Sequence, residues 1–223
     1  MSRADRNPNG KGSRGRTVAA FLSILLAGCS GLLHSTASPD QVYYLQAKPA
    51  GVVAAAAPAG SLRISHPVAD PGLDSDRIVL LRPDRRMDFY AGSRWPGPAT
   101  QLIEALAVET LRAGGTWRSV EGSTSPFPSD YLLQISVRHF EADYASGGAA
   151  PEAHVVLDCI LGRREGRTVL KSFRVEGRSA ASANRLGSVV AAFEDATNAA
   201  LGALSTQILE ATQNPNSDAS ASR

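Results

Sequence analysis

The sharpest alternation of apolar and polar positions falls at residues 130–140. Tyr131, Leu133, Ile135 and Val137 share one parity, and Gln134, Ser136 and Arg138 take the other. A period of two over this length predicts a strand with one buried face. Residues 152–161 and 167–177 predict two further long strands, joined as a hairpin through the turn residues at 162–166. Upstream, the aromatic and β-branched run at 41–47 predicts a first strand. At 61–68, Leu62, Ile64 and Val68 share a parity, while Pro67 limits the ladder and favours an edge or a bulge. Shorter strands are predicted at 77–82, 87–92 and 116–122.

The helical period appears twice. Pro96-Gly97-Pro98 opens one helix, whose Ile103, Leu106, Ala107 and Leu111 fall on one face before Gly114-Gly115 stops it. Residues 184–210 form the other, with Leu186, Val190, Phe193, Thr197, Ala200, Leu204 and Ile208 along one stripe. Residues 49–60 are too punctuated by Gly and Pro for a helix and read as a loop. The order of elements predicts an α+β fold, a mostly antiparallel sheet with two helices packed on one face. No internal repeat is visible.

The N-terminus has a different pattern. Arg3, Arg6, Lys11, Arg14 and Arg16 precede an apolar stretch at 18–28, interrupted only by Ser23. A spanning helix needs roughly 20 apolar residues, so this run is too short. A basic leader, a short apolar core and small residues form a secretory signal peptide. Leu26-Ala27-Gly28-Cys29 resembles the bacterial lipobox, in which the cysteine receives diacylglycerol and becomes the first residue after cleavage. Ser30, rather than aspartate, then implies outer-membrane sorting. A multiply acylated cysteine anchors firmly, because stable attachment takes more than one chain. The expected layout is a signal peptide at 1–28, a flexible tether at 29–40, a domain at 41–211 and a disordered tail at 212–223.

That cleavage changes the charge. The whole chain of 223 residues carries 23 Lys and Arg against 21 Asp and Glu. Residues 1–28 hold five of the basic and one of the acidic residues, which leaves 18 against 20, a net charge of −2. No basic stripe remains to suggest nucleic acid as a partner. With Cys29 lipidated, Cys159 is left without an intramolecular partner. Its apolar surroundings predict a buried, inert thiol.

Signatures of catalysis are missing. The chain has no GxxxxGK[ST], GxSxG, HExxH or CxxC, so neither an enzyme nor a cofactor is expected. His34, His66, His139 and His154 match no local metal spacing. His139 and His154 come close if their strands pair, but with no third ligand in view they are expected to be surface or hydrogen-bonded residues and no metal is expected. Asp84 and Asp88 around Arg85-Arg86 suggest a solvated turn, and Glu141, Asp143 and Tyr144 the polar end of a strand. Tyr90, Arg94 and Trp95 stand out, because aromatic residues with an arginine at a strand-to-helix junction are the composition of an interaction hot spot. Trp95 has an alternative role as a plug under the helix.

With those residues in view, the chain resembles the ABC-type transport auxiliary lipoproteins of Mce-type and paraquat-inducible-type lipid transport systems. The resemblance rests on the lipobox at Cys29, "YYLQ", "LRISHPVADPGLDSDRIVLL", "DFYAGSRWPGPATQLIEAL", "SDYLLQISVRHFEADY" and "SVVAAFEDATNAALGAL". It spans residues 41–209, apart from the alanine-rich insertion near 49–60. It implies an outer-membrane-anchored periplasmic component assisting transfer of phospholipid or a related hydrophobic solute. The implied partners are an Mce-domain substrate-binding protein of an ABC permease and ATPase complex, and the membrane through Cys29. A homo-oligomer is left open. The alternatives are a structural or assembly envelope lipoprotein, an anchored hydrolase and a small-molecule-binding module.

Overall fold

A computed structural model describes residues 39–48, 60–145 and 147–213. Cys29, the signal peptide, the insertion at 49–59 and the tail from 214 onward lie outside the described residues. Nine strands form one sheet: β1 (Gln41–Val42), β2 (Ser61–Ile64), β3 (Val68–Ala69), β4 (Arg77–Leu81), β5 (Met87–Arg94), β6 (Ser119–Glu121), β7 (Tyr131–Asp143), β8 (Glu152–Arg163) and β9 (Thr168–Ala180). Among the described residues two helices complete the fold, α1 (Ala99–Ala113) and α2 (Leu186–Gln213).

β7 organises the sheet. One edge pairs antiparallel with β8 from Tyr131↔Arg163 to Asp143↔Glu152, and β8 continues antiparallel into β9. The other edge takes three short parallel partners in turn: β2 at Leu62↔Tyr131, β3 at Val68↔Ser136 and β4 at Leu80↔Ala142. β6 extends the sheet beyond β2, and β5 and β1 extend it beyond β4. The sheet is therefore mixed but mostly antiparallel, as the pattern predicts.

The alternation in β7 holds through Val137 and then slips, because a register shift lies between Val137 and His139. One extra residue in a strand moves the following side chains to the opposite face. Phe140 and Ala142 therefore point inward, while His139 and Glu141 point outward. On β8 the inward set is Ala153, Val155, Leu157, Cys159 and Leu161, all buried. Burial pushes the Cys159 thiol up to about 12, and the charge of Asp158 adds to the effect. This is the inert thiol the sequence predicts.

Both helices lie on the inward face. α1 buries Leu102, Ile103, Leu106, Ala107 and Leu111. The loop between β3 and β4 meets its first turn: Ala99 N–H donates to Ser75 O at 3.1 Å and Thr100 Oγ1 to Asp74 Oδ1 at 2.8 Å. α2 lies across β9 and β8, with Ala192, Ala196 and Ala200 buried. A Cβ on Gly177 would overlap the Ala196 carbonyl oxygen, with Ala200 N only 3.0 Å away. The helix backbone thus rests on the strand, as a glycine allows.

Several predicted boundaries move, among them the following. Only Gln41–Val42 of the first run is strand. Beyond it the backbone turns to α2, where Gln46 N–H donates to Glu194 and Lys48 N–H to Asn198. Val68 is exposed, because the interruption at Pro67 separates β2 from β3 and resets the parity. In α2 the buried stripe runs through Val189 rather than Val190, and the helix continues to Gln213.

Candidate functional site

The predicted docking residues occupy an excursion of β5. Val79 pairs with Phe89, but Arg77 pairs with Arg94, so β5 carries extra residues opposite β4. Gly92 turns the chain there with φ of 63°, a left-handed conformation that glycine adopts at little cost. Ser93 Oγ donates to Tyr90 O at 3.0 Å across the excursion. Arg94 and Trp95 are neighbours in extended chain and face opposite ways.

The structure separates the three side chains. Trp95 is fully buried, in edge contact with Phe193 at 5.3 Å and tilted against Phe140 at 5.8 Å between ring centroids. It takes the core-plug role, and its indole N–H has no hydrogen-bond partner among the described residues. Tyr90 is half-buried, its hydroxyl 2.9 Å from that of Tyr144, which donates to Asn184 Oδ1 at 2.7 Å. Burial, and then the bond to Tyr144, hold the Tyr90 phenol far above its ordinary range. Arg94 reaches solvent, with Nη1 3.2 Å from Asp76 Oδ2. Of the three, Arg94 offers the accessible surface, Tyr90 turns toward Tyr144 and Trp95 lies in the core.

A groove of about 1060 Å³ runs along α1, lined by His66, Glu104, Val108, Arg112 and Ser123 among others. Glu104 closes one end by accepting from Ser123 N–H at 2.7 Å and facing His66 Nδ1 at 3.2 Å.

The outward face of β7, β8 and β9 is charged. Asp158 receives Arg174 at 2.6 and 2.9 Å and Arg138 at 2.8 Å, and Arg138 also reaches Asp70 at 2.7 Å. The hydrogen bond from Arg174 leads, and Arg138 adds to it, in holding the Asp158 carboxyl at about 2 against a smaller opposing effect of burial. Further along the same face, Glu141 is buried at 5% exposure. One oxygen of Glu141 accepts from Phe140 N–H at 2.7 Å, while the other lies 2.7 Å from His139 Nδ1 and 3.6 Å from His154 Nδ1. Burial pushes this carboxyl up, but the two imidazoles and the backbone N–H outweigh it and leave Glu141 below the usual range. The rings of His139 and His154 stack at 4.4 Å. His154 Nε2 faces Glu176 Oε1 at 3.0 Å and Arg178 Nη2 at 2.8 Å, and Arg178 also donates to Glu176 and Glu152.

Pairing of the strands does bring His139 and His154 together. The residue that sequence reasoning missed is Glu141, expected as the polar end of a strand. Its signal was the consecutive polar pair Arg138-His139, which breaks the alternation and marks the bulge.

The sequence model for the ABC-type transport auxiliary lipoprotein component matches residues 43–209. A crystal structure of a protein from Xanthomonas campestris is similar at 28% identity and a TM-score of 0.70, covering 78% of this chain and 98% of that one. A second structure, of an uncharacterized protein, shares the fold at 14% identity and a TM-score of 0.58, covering 78% of this chain and 98% of that one. No curated protein matches.

Proposed function

Because the chain belongs to the ABC-type transport auxiliary lipoprotein component family, we propose that it serves an Mce-type system moving phospholipid or a related hydrophobic solute between membranes. Lipidation at Cys29 tethers it to the periplasmic face of the outer membrane. Its role is to dock rather than to react, and it turns over neither nucleotide nor ester. The observation that carries this is the family match across almost the whole predicted mature domain, downstream of a lipobox.

Two features of the fold support an adaptor. Trp95, Phe140 and Phe193 fill the layer between the sheet and α2. The β5 excursion sets Arg94 on a rigid support, and loops held by rigid elements commonly carry function. Arg94, with the half-buried Tyr90 on the same excursion, is then the docking surface for the Mce-domain protein.

Labelled palmitate and copurification test the proposal together. The wild type takes up label and brings down the Mce-domain protein with its permease and ATPase, whereas Cys29→Ala takes up none. Equal labelling of both chains contradicts the anchor. A labelled wild type that recovers no transport component favours a structural envelope lipoprotein instead.

A further inference from the structure

We propose that His139, Glu141 and His154 form a binding site for a divalent transition-metal ion, of the Zn²⁺ class, on the open face of the sheet. Strand geometry builds it. His139 and Glu141 are two apart on β7 and share a face, and His154 on β8 is the register partner of Glu141. One ligand atom from each lies within 4.8 Å of the others. Two imidazole nitrogens and a carboxylate oxygen suit Zn²⁺ with one position left open.

Charge and support point the same way. Among the described residues around the cluster, Glu141, Glu152 and Glu176 are balanced by Arg178, since Arg138 and Arg174 are engaged by Asp70 and Asp158. A dication would offset the remaining two negative charges. With a metal on His154 Nδ1, Nε2 would carry a proton and donate to Glu176 Oε1 at 3.0 Å, and Arg178 Nη2, which lies 2.8 Å from Nε2 and can only donate, would turn from the ring to its carboxylate partners Glu176 and Glu152. A carboxylate behind a metal-binding histidine fixes the ring and raises its basicity. The Phe140 N–H holds the second Glu141 oxygen in the same manner.

Binding requires the His139 ring to turn, because it stacks on His154 at 4.4 Å with the planes 24° apart and the two Nδ1 lone pairs do not converge as they stand. Ligands at about 2.0–2.1 Å in tetrahedral array stand about 3.3 Å apart, against 2.7 Å between His139 Nδ1 and Glu141 Oε1. His139 is nearly half exposed, which leaves its ring room to rotate outward and present Nδ1 to the ion. The ion would pin β7, just past its bulge, to β8.

The untagged full chain, purified in detergent and stripped by chelator, is titrated with Zn²⁺ against a chromophoric competitor. One equivalent binds at about micromolar affinity or tighter. Glu176→Gln, a positioning variant at a partly exposed site, weakens binding about 10–100-fold, and His139→Ala weakens it more. Both keep the wild-type melting temperature in chelator. Co²⁺ gives visible absorption bands with the wild type that His139→Ala loses. Should His139→Ala fold poorly, Glu176→Gln decides alone. Absence of saturable binding, or binding unchanged in either folded variant, overturns the site.

Discussion

The two faces of β7, β8 and β9 are made from the same strands and behave as different materials. The inner face is apolar and close-packed, down to a glycine on which the α2 backbone rests. The outer face holds two charged clusters, one built on Asp158 and the other on Glu141. Burial of apolar area stabilises without regard to direction, whereas ion pairs near solvent contribute little but fix geometry. Folding energy should therefore reside on the inner face and recognition chemistry on the outer face and the β5 excursion.

The strongest way to break this contrast is Gly177→Val. Any side chain there meets the Ala196 carbonyl, so the variant should lose more than about 4 kcal/mol, in the range where a domain no longer folds. Trp95→Ala follows, with about 3–5 kcal/mol lost, because it empties the centre of the aromatic trio. Urea unfolding of both variants checks the pair. Near-wild-type midpoints would show that the layer between sheet and helix is looser than its packing implies.

On the outer face, Asp158→Asn should cost only on the order of 1 kcal/mol at neutral pH. The carboxyl is held at about 2, below its ordinary 3.8, so its contribution is complete above the unfolded value. It is lost as pH falls through about 2. The difference between wild type and Asp158→Asn should thus shrink between about pH 4 and pH 2. A constant difference across that window would sink the assignment.

Each face was legible in the sequence to the extent that period two is local information. Tyr131 to Val137 announced the inward residues of β7. The bulge at Arg138 is where the pattern failed, since an inserted residue depends on the partner strand as well as on the strand itself. Had β7 run without it, Phe140 would have left the core and Glu141 would have entered it. The burial of Glu141 was hidden for the same reason. The short first strand was misjudged because α2, about 150 residues away in sequence, supplies Glu194 and Asn198 to the backbone of Gln46 and Lys48. For the docking residues, composition suggested a shared surface, but only tertiary packing could assign Trp95 to the interior.

The smallest effect on stability belongs to the position given the largest role. Arg94 makes one ion pair with Asp76, both about 41% exposed, so replacing it should leave melting nearly unchanged. A photoreactive residue at position 94 in the lipidated chain, illuminated in growing cells, tests the transport role most directly. The prediction is a crosslink to the Mce-domain protein at 94 that is absent when the probe is moved to the buried position of Trp95 or to the distant turn at Glu165. Adducts at 94 only with unrelated envelope proteins, or none, would contradict it.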